Sequence, residues 1–189
     1  MMTTSPGMPD RSLPAPSPDA PRAPRLYASR SEVVLLTLVV ALDQLTKAAV
    51  RNSLALGDSR NVIPRLLDLT HVHNTGAAFG LLNTTDFSYK PLVMIGIGAL
   101  ALVAIAGYAA QLGFHERLAR YGLVLILGGA FGNLIDRAIA GYVIDFVDIY
   151  WGSTHFWAFN VADFSITTGA IMVLLEMLGA GRRHASHPL

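Results

Sequence analysis

Four long apolar runs constrain this chain more than any other feature. They cover about residues 33–50, 91–111, 121–140 and 162–181, and each is long enough to cross a hydrocarbon core that takes about 20 helical residues. Lipid offers no hydrogen-bond partner to the backbone, so such runs are satisfied only as helices. The remaining composition agrees: 52% of the 189 residues are hydrophobic and 14% charged, too apolar for one soluble domain of this size. The second run is uncharged from Pro91 through Phe114, whereas the first, third and fourth each carry an acid.

The ends of the chain are different. Residues 1–30 are rich in Pro, Ala, Ser and Arg with no apolar run, so they are expected to form a disordered cytoplasmic tail. No cleavable leader is expected, because the first apolar stretch leads into Asp43 and not into a small-residue cleavage site. A membrane domain over 31–182 and a short cytoplasmic tail over 183–189 follow. Arg22, Arg25 and Arg30 precede the first run, Arg117 and Arg120 separate the second from the third, and Arg182 and Arg183 follow the fourth. Those sides read as cytoplasmic, with both termini inside, despite Arg51, Arg60, Arg65 and Lys90 on the other side. The extracytoplasmic segments are then about 51–90 and 141–161. A net charge of +1 gives no electrostatic case for nucleic acid. The absence of Cys removes disulfides, thiol catalysis, thiolate metal sites and lipidation of the chain itself.

With the runs antiparallel, Asp43 late in the first, Asp136 near the end of the third and Asp163 at the start of the fourth approach one membrane face. Asp145 and Asp148 lie in the connection on that face. Solvation at a helix end accounts for one such acid. Several acids at one depth, each costing about 2.5 kcal/mol or more to insert, point instead to a functional site.

Local spacing adds detail. Asn133 and Asn160 each precede an acid by three residues, so each amide is placed to orient Asp136 or Asp163, or a substrate carbonyl. Asp163 also suits a helix N-terminus, where the macrodipole favours an anion. Asp43 and Lys47 are four apart in the favourable order and read as a structural ion pair. Arg137 offers Asp136 a neighbouring cation. Gly128 and Gly132 form a G-x-x-x-G that lets helices approach closely, here expected to bring the acids of the third and fourth helices together. On the outer side, Leu67 to His73 alternates as a short strand, and Asn74-Thr75-Gly76 reads as a turn. His71 and His73 lack a third ligand for zinc. The connection from Tyr142 to Phe159 holds seven aromatics, including both Trp, and is expected as an aromatic loop at the headgroup level.

Five ordered motifs run through the chain: Asp43-Gln44-Leu45-Thr46-Lys47, Asn74-Thr75-Gly76-Ala77-Ala78-Phe79-Gly80, Gly128-Gly129-Ala130-Phe131-Gly132-Asn133-Leu134-Ile135-Asp136-Arg137, Val143-Ile144-Asp145-Phe146 and Phe159-Asn160-Val161-Ala162-Asp163. From about Val33 to Gly181 the chain closely resembles the bacterial lipoprotein signal peptidases (signal peptidase II). That resemblance implies an all-α polytopic protein of four transmembrane helices with a small β-rich extracytoplasmic domain, in the bacterial inner membrane. It implies an aspartic endopeptidase that cuts diacylglyceryl-modified prolipoproteins just before the lipidated Cys, working among membrane lipids as a monomer, with no metal or organic cofactor. By the same carry-over Asp145 and Asp163 are the catalytic pair, and Asp43, Lys47, Asn74, Gly76, Gly129, Asn133, Asp136, Arg137 and Asn160 bind substrate or support the site. Composition and spacing by themselves do not choose Asp145 over Asp136.

Readings from other classes meet specific obstacles. A proton-coupled transporter wants a continuous polar path, and the second run has no charged residue. A serine peptidase on Ser153 and His155 needs a buried, oriented base. The G-x-G-D motif of another class of intramembrane acid peptidase is absent.

Overall fold

The computed structural model describes residues 28–76, 88–112 and 116–185, with side chains through residue 179. Most of the expected N-terminal tail, the Ala77–Gly80 part of one motif and residues 186–189 lie outside these ranges. The described chain runs α1 (Arg30–Ser53), β1 (Ser59–Ile63), β2 (Leu67–Asn74), α2 (Lys90–Ala109), α3 (Arg117–Ala140), β3 (Val143–Trp151), β4 (Thr154–His155) and α4 (Val161–Ala185). All four helices are long and apolar enough to cross a membrane. Helix α2 ends two residues sooner than expected, whereas α1, α3 and α4 extend the expected runs by a few residues because polar end turns belong to the helix but not to the apolar stretch. At α1 that end is a capping box, in which Ser29 and Glu32 satisfy each other's backbone N–H groups.

Helix α3 is central and packs against α1, α2 and α4. Its glycines explain how closely. A methyl group at Gly122 would stand 2.7 Å from the Gly169 carbonyl oxygen, and one at Gly129 would overlap the Ala162 carbonyl oxygen, so these two glycines seat α4. Gly128 and Gly132 face α1 instead, with Val39 Cγ1 at 3.0 Å and Asp43 Oδ2 at 2.5 Å from a methyl on each. The G-x-x-x-G pair therefore joins α3 to α1, contrary to expectation, and Gly129 within it meets α4. Adjacent residues point about 100° apart on a helix, which is how one motif serves two neighbours. The outward faces carry exposed Leu38, Leu45, Leu100, Val103 and Ile139, as lipid-facing surfaces should.

The strands form one antiparallel sheet in the order β1-β2-β3-β4. Gly141 ends α3 in the left-handed region (φ +81°), its N–H bonded to the Arg137 carbonyl at 3.1 Å, and turns the chain directly into β3. The expected aromatic loop is thus a strand and a short hairpin, turned at Gly152 (φ +64°). Its exposed tip carries Trp151, Phe156 and Trp157. Val50, Ile144 and Phe146 form the small core where the sheet meets α1. Phe159 then bridges back to Val147, and this return sets the start of α4 beside the buried end of β3.

Candidate active site

Asp145 is the third residue of β3 and is 3% exposed. Its Oδ2 accepts the Asn74 side-chain amide at 3.0 Å, and its Oδ1 accepts that of Asn160 at 2.7 Å. Asn74 ends β2, paired antiparallel with β3, and the expected turn forms there: the Gly76 N–H donates to Asn74 Oδ1 at 3.0 Å. That bond turns the Asn74 NH2 toward Asp145.

Asp163 stands in the first turn of α4, and Asn160 caps that helix. The Asp163 N–H donates to Asn160 Oδ1 at 3.0 Å, and the Asn160 N–H to Asp163 Oδ2 at 3.3 Å. This is a reciprocal cap of the capping-box kind. The remaining oxygen, Asp163 Oδ1, accepts Asn133 Nδ2 from α3 at 2.9 Å. Asn160 Nδ2 also reaches Asn133 Oδ1 at 3.3 Å, so two amides link the carboxylates.

Beneath them lies a buried ionic cluster. Lys47, 1% exposed, sets its Nζ 2.8 Å from Asp43 Oδ2 and 2.7 Å from Asp136 Oδ2. The second is an ionic contact off the hydrogen-bond axis, since Asp136 Oδ2 has no well-directed donor. Lys47 also donates to Asn133 Oδ1 at 2.9 Å. Asp43 Oδ1 accepts the Ala162 N–H at 3.0 Å, tying α1 to the N-terminus of α4. Gln44, to which sequence assigned no role, donates to Asp136 Oδ1 at 3.1 Å and the Gly132 carbonyl at 3.2 Å. Its signal is its place one turn before Lys47 on the same helix.

Two electrostatic facts follow. Burial, and then the negative charge of Asp163, push the Asp145 carboxyl up to about 7, against the opposing pull of Asn74, Asn160 and Lys47. Near neutral pH such a group is poised between its acid and its base. The second is that the charge of Asp163 reaches Asp145, which is the arrangement that two carboxylates sharing one proton would need.

Every candidate residue from sequence lies in or beside this cluster, but several partners differ. Arg137 does not pair with Asp136; it donates to the Gly76 carbonyl at 2.7 Å and the Asn133 carbonyl at 3.3 Å, bracing the Asn74 turn. Asn133 orients Asp163 instead of Asp136, and Asn160 caps Asp163 as its spacing suggests while its side-chain NH2 goes to Asp145. His71 Nδ1 lies 2.9 Å from the Leu54 carbonyl, and His73 stacks on Tyr142 with ring centres 3.6 Å apart. Burial pushes the His73 imidazole down, helped by His71 and Arg51, and no cluster of three metal-ligating side chains occurs among the described residues. His155 turns to Asp148 Oδ2 at 2.8 Å on the exposed hairpin, far from the buried base a Ser153 nucleophile would need.

The family model described as signal peptidase (SPase) II matches residues 35–179. The chain belongs to the signal peptidase II family. A lipoprotein signal peptidase of Syntrophotalea carbinolica is 42% identical over 160 residues, covering 85% of this chain and 98% of that one. Another from Geobacter metallireducens is 42% identical over 159 residues, 84% and 96% of the two chains. Among solved structures, a bacterial membrane enzyme determined by the in meso method at 2.3 Å superposes with a TM-score of 0.75 at 30% identity, over 86% of this chain and 96% of that one. A peptidase is therefore the class of enzyme expected from the motifs and found by family.

Proposed function

We propose that this enzyme is an aspartic endopeptidase of the bacterial inner membrane that removes signal peptides from diacylglyceryl-modified prolipoproteins, cutting before the lipidated Cys with Asp145 and Asp163 as its dyad. The observation that carries the reading is the pair of coupled carboxylates, each held by two donors, one of them raised to about 7. Asp145 keeps the shared proton because it is the more buried. Asp163 accepts a proton from water as the oxygen attacks the scissile carbonyl, and Asp145 donates to the developing oxyanion. Collapse of the tetrahedral intermediate returns one proton to Asp145 while Asp163 passes its own to the leaving amine. Both termini are cytoplasmic, and the sheet lies outside as a small β-rich domain over the outer leaflet. Its aromatic hairpin holds acyl chains, whose binding energy positions the peptide. One chain suffices, since every group invoked comes from it.

The test is cleavage of a diacylglyceryl-modified prolipoprotein by purified protein in detergent. Asp145→Asn and Asp163→Asn are each expected to abolish turnover while the protein stays folded. Near-normal turnover in either variant removes that residue from the dyad.

A further inference from the structure

Three side-chain amides surround the two carboxylates, and each faces the way a neighbour with no choice of role dictates. For Asn74 and Asn160 the neighbour is a backbone N–H, from Gly76 and Asp163, that donates to the amide oxygen at 3.0 Å in both cases. A backbone N–H never accepts, so both NH2 groups must turn to Asp145. Asn133 receives a side chain instead. Its Oδ1 takes Lys47 Nζ at 2.9 Å, and its Nδ2 is thereby left to Asp163. An ammonium has three donors and no acceptor, so Lys47, the nearer of two donors on Asn133 Oδ1 (Asn160 Nδ2 lies at 3.3 Å and is committed to Asp145 at 2.7 Å), is the main determinant of which end of Asn133 meets the carboxylate.

We propose that Lys47 is a positioning residue: held between Asp43 and Asp136, it locks the Asn133 amide with its NH2 toward Asp163, which makes Asp163 the proton-free partner and Asp145 the proton holder. The inference rests on the dyad reading above. A reversed Asn133 would set a carbonyl oxygen against Asp163, two acceptors face to face, tolerable only with the proton on Asp163 and the charge on buried Asp145. The roles of the two acids would then exchange. The charged groups around the pair are Asp43 and Lys47 on α1, Asp136 and Arg137 on α3, Asp145 on β3 and Asp163 on α4, with uncharged Asn74 on β2. The ion pair to Asp136 holds the ammonium where a lone lysine would wander.

The experiment is the pH profile of kcat/KM on a diacylglyceryl-modified prolipoprotein for wild type, Asn133→Ala, the charge-balanced pair Lys47→Met with Asp136→Asn, and all three changes together. Both limbs belong to the dyad as a unit, and loss of the donor disfavours its ionised forms, so Asn133→Ala should move the profile to higher pH by about one unit. The Lys47 pair should move it similarly, and should add nothing once Asn133 is Ala. Additive shifts mean that Lys47 acts by charge alone and overturn the proposal, as does an unmoved profile in Asn133→Ala. Limb positions do not depend on how much of the enzyme is folded. Where the neutral pair fails to insert, Lys47→Arg keeps a donor to Asn133 and should leave the limbs in place; a displacement as large as that of Asn133→Ala refutes the lock. Asp163→Asn is run alongside. Turnover surviving that change sinks the dyad reading, whereas its loss with unmoved limbs elsewhere sinks this inference alone.

Discussion

Gly129→Ala tests whether the seat of α4 on α3 sets the geometry of the site. The added methyl would overlap the Ala162 carbonyl oxygen and stand 2.9 Å from Ile166 Cγ1, where ordinary contact is 3.4–4 Å. Ile166 can rotate away, but a helix carbonyl cannot, so α4 must retreat by roughly 1 Å. Overpacking of this kind costs about 3 kcal/mol at its upper end, and replacing a helical Gly by Ala returns about 1 kcal/mol. The net loss of about 2 kcal/mol corresponds to about 4–8 °C in the unfolding midpoint. The effect on catalysis should be larger, because Asp163 follows Ala162 and moves with it away from Asn133. A displacement of about 1 Å costs on the order of 100-fold in turnover. The assay pairs thermal unfolding in detergent with cleavage per folded molecule, and Gly96→Ala, a helical glycine whose methyl meets nothing within 4 Å, is the control expected to keep turnover and to raise the midpoint by the helix gain of about 1 kcal/mol alone. If Gly129→Ala loses stability but keeps wild-type turnover, the claim that helix spacing sets the site is wrong; if it loses neither, the packing itself is misread.

Other outcomes are expected. Because the Asp145 carboxyl sits at about 7 when folded, the folded chain binds a proton more tightly than the unfolded chain, and stability is lost as pH rises from the ordinary carboxylate range through that value. The thermal midpoint should fall from about pH 5 to about pH 8 less steeply in Asp145→Asn than in wild type, and equal slopes would deny Asp145 its raised proton affinity. Turnover should decline over the same upper range as the dyad loses its proton. Asp136→Asn, which strips one counter-charge from buried Lys47, should lower the midpoint and retain residual cleavage; full inactivation at unchanged stability would promote Asp136 to the catalytic pair. An unmodified precursor should be cut far more slowly than its diacylglyceryl form, with the gap narrowed in Trp151→Ala, and equal rates on the two wild-type substrates would end the idea that acyl chains position the peptide.

What sequence could reveal depended on distance along the chain. The helices were legible because lipid demands long apolar runs, and the Asp43–Lys47 contact because a four-residue offset stacks two side chains on one face. The same local logic misled at Arg137, which adjoins Asp136 in sequence but points elsewhere on the helix, while the actual cation arrives from α1. It misled again at Asn133, which serves Asp163 from another helix, and told only half at Asn160, which caps Asp163 but sends its NH2 to Asp145. The β3–β4 hairpin was read as a loop because its aromatics suit a membrane surface whether the backbone is paired or not. Gly128 and Gly132 were legible as packing residues, but not the helix they face, since that depends on which neighbour each face of α3 receives.

One arrangement bears on how the protein is made. Asp43 and Lys47 lie on the first helix, whereas Asn133 follows Lys47 by 86 residues and Ala162 follows Asp43 by 119. An acid and an ammonium entering the bilayer apart would each cost about 2.5–3.5 kcal/mol on the insertion scale. One turn apart they travel as a neutral couple, so α1 brings its own counter-ion and need not wait for later segments. When α3 arrives, Lys47 is shared with Asp136, and when α4 arrives, Asp43 takes up the Ala162 N–H. Until that last helix is in place Asp163 is absent from the side of Asp145, so on the proposed dyad the nascent chain is inactive until its final segment has inserted.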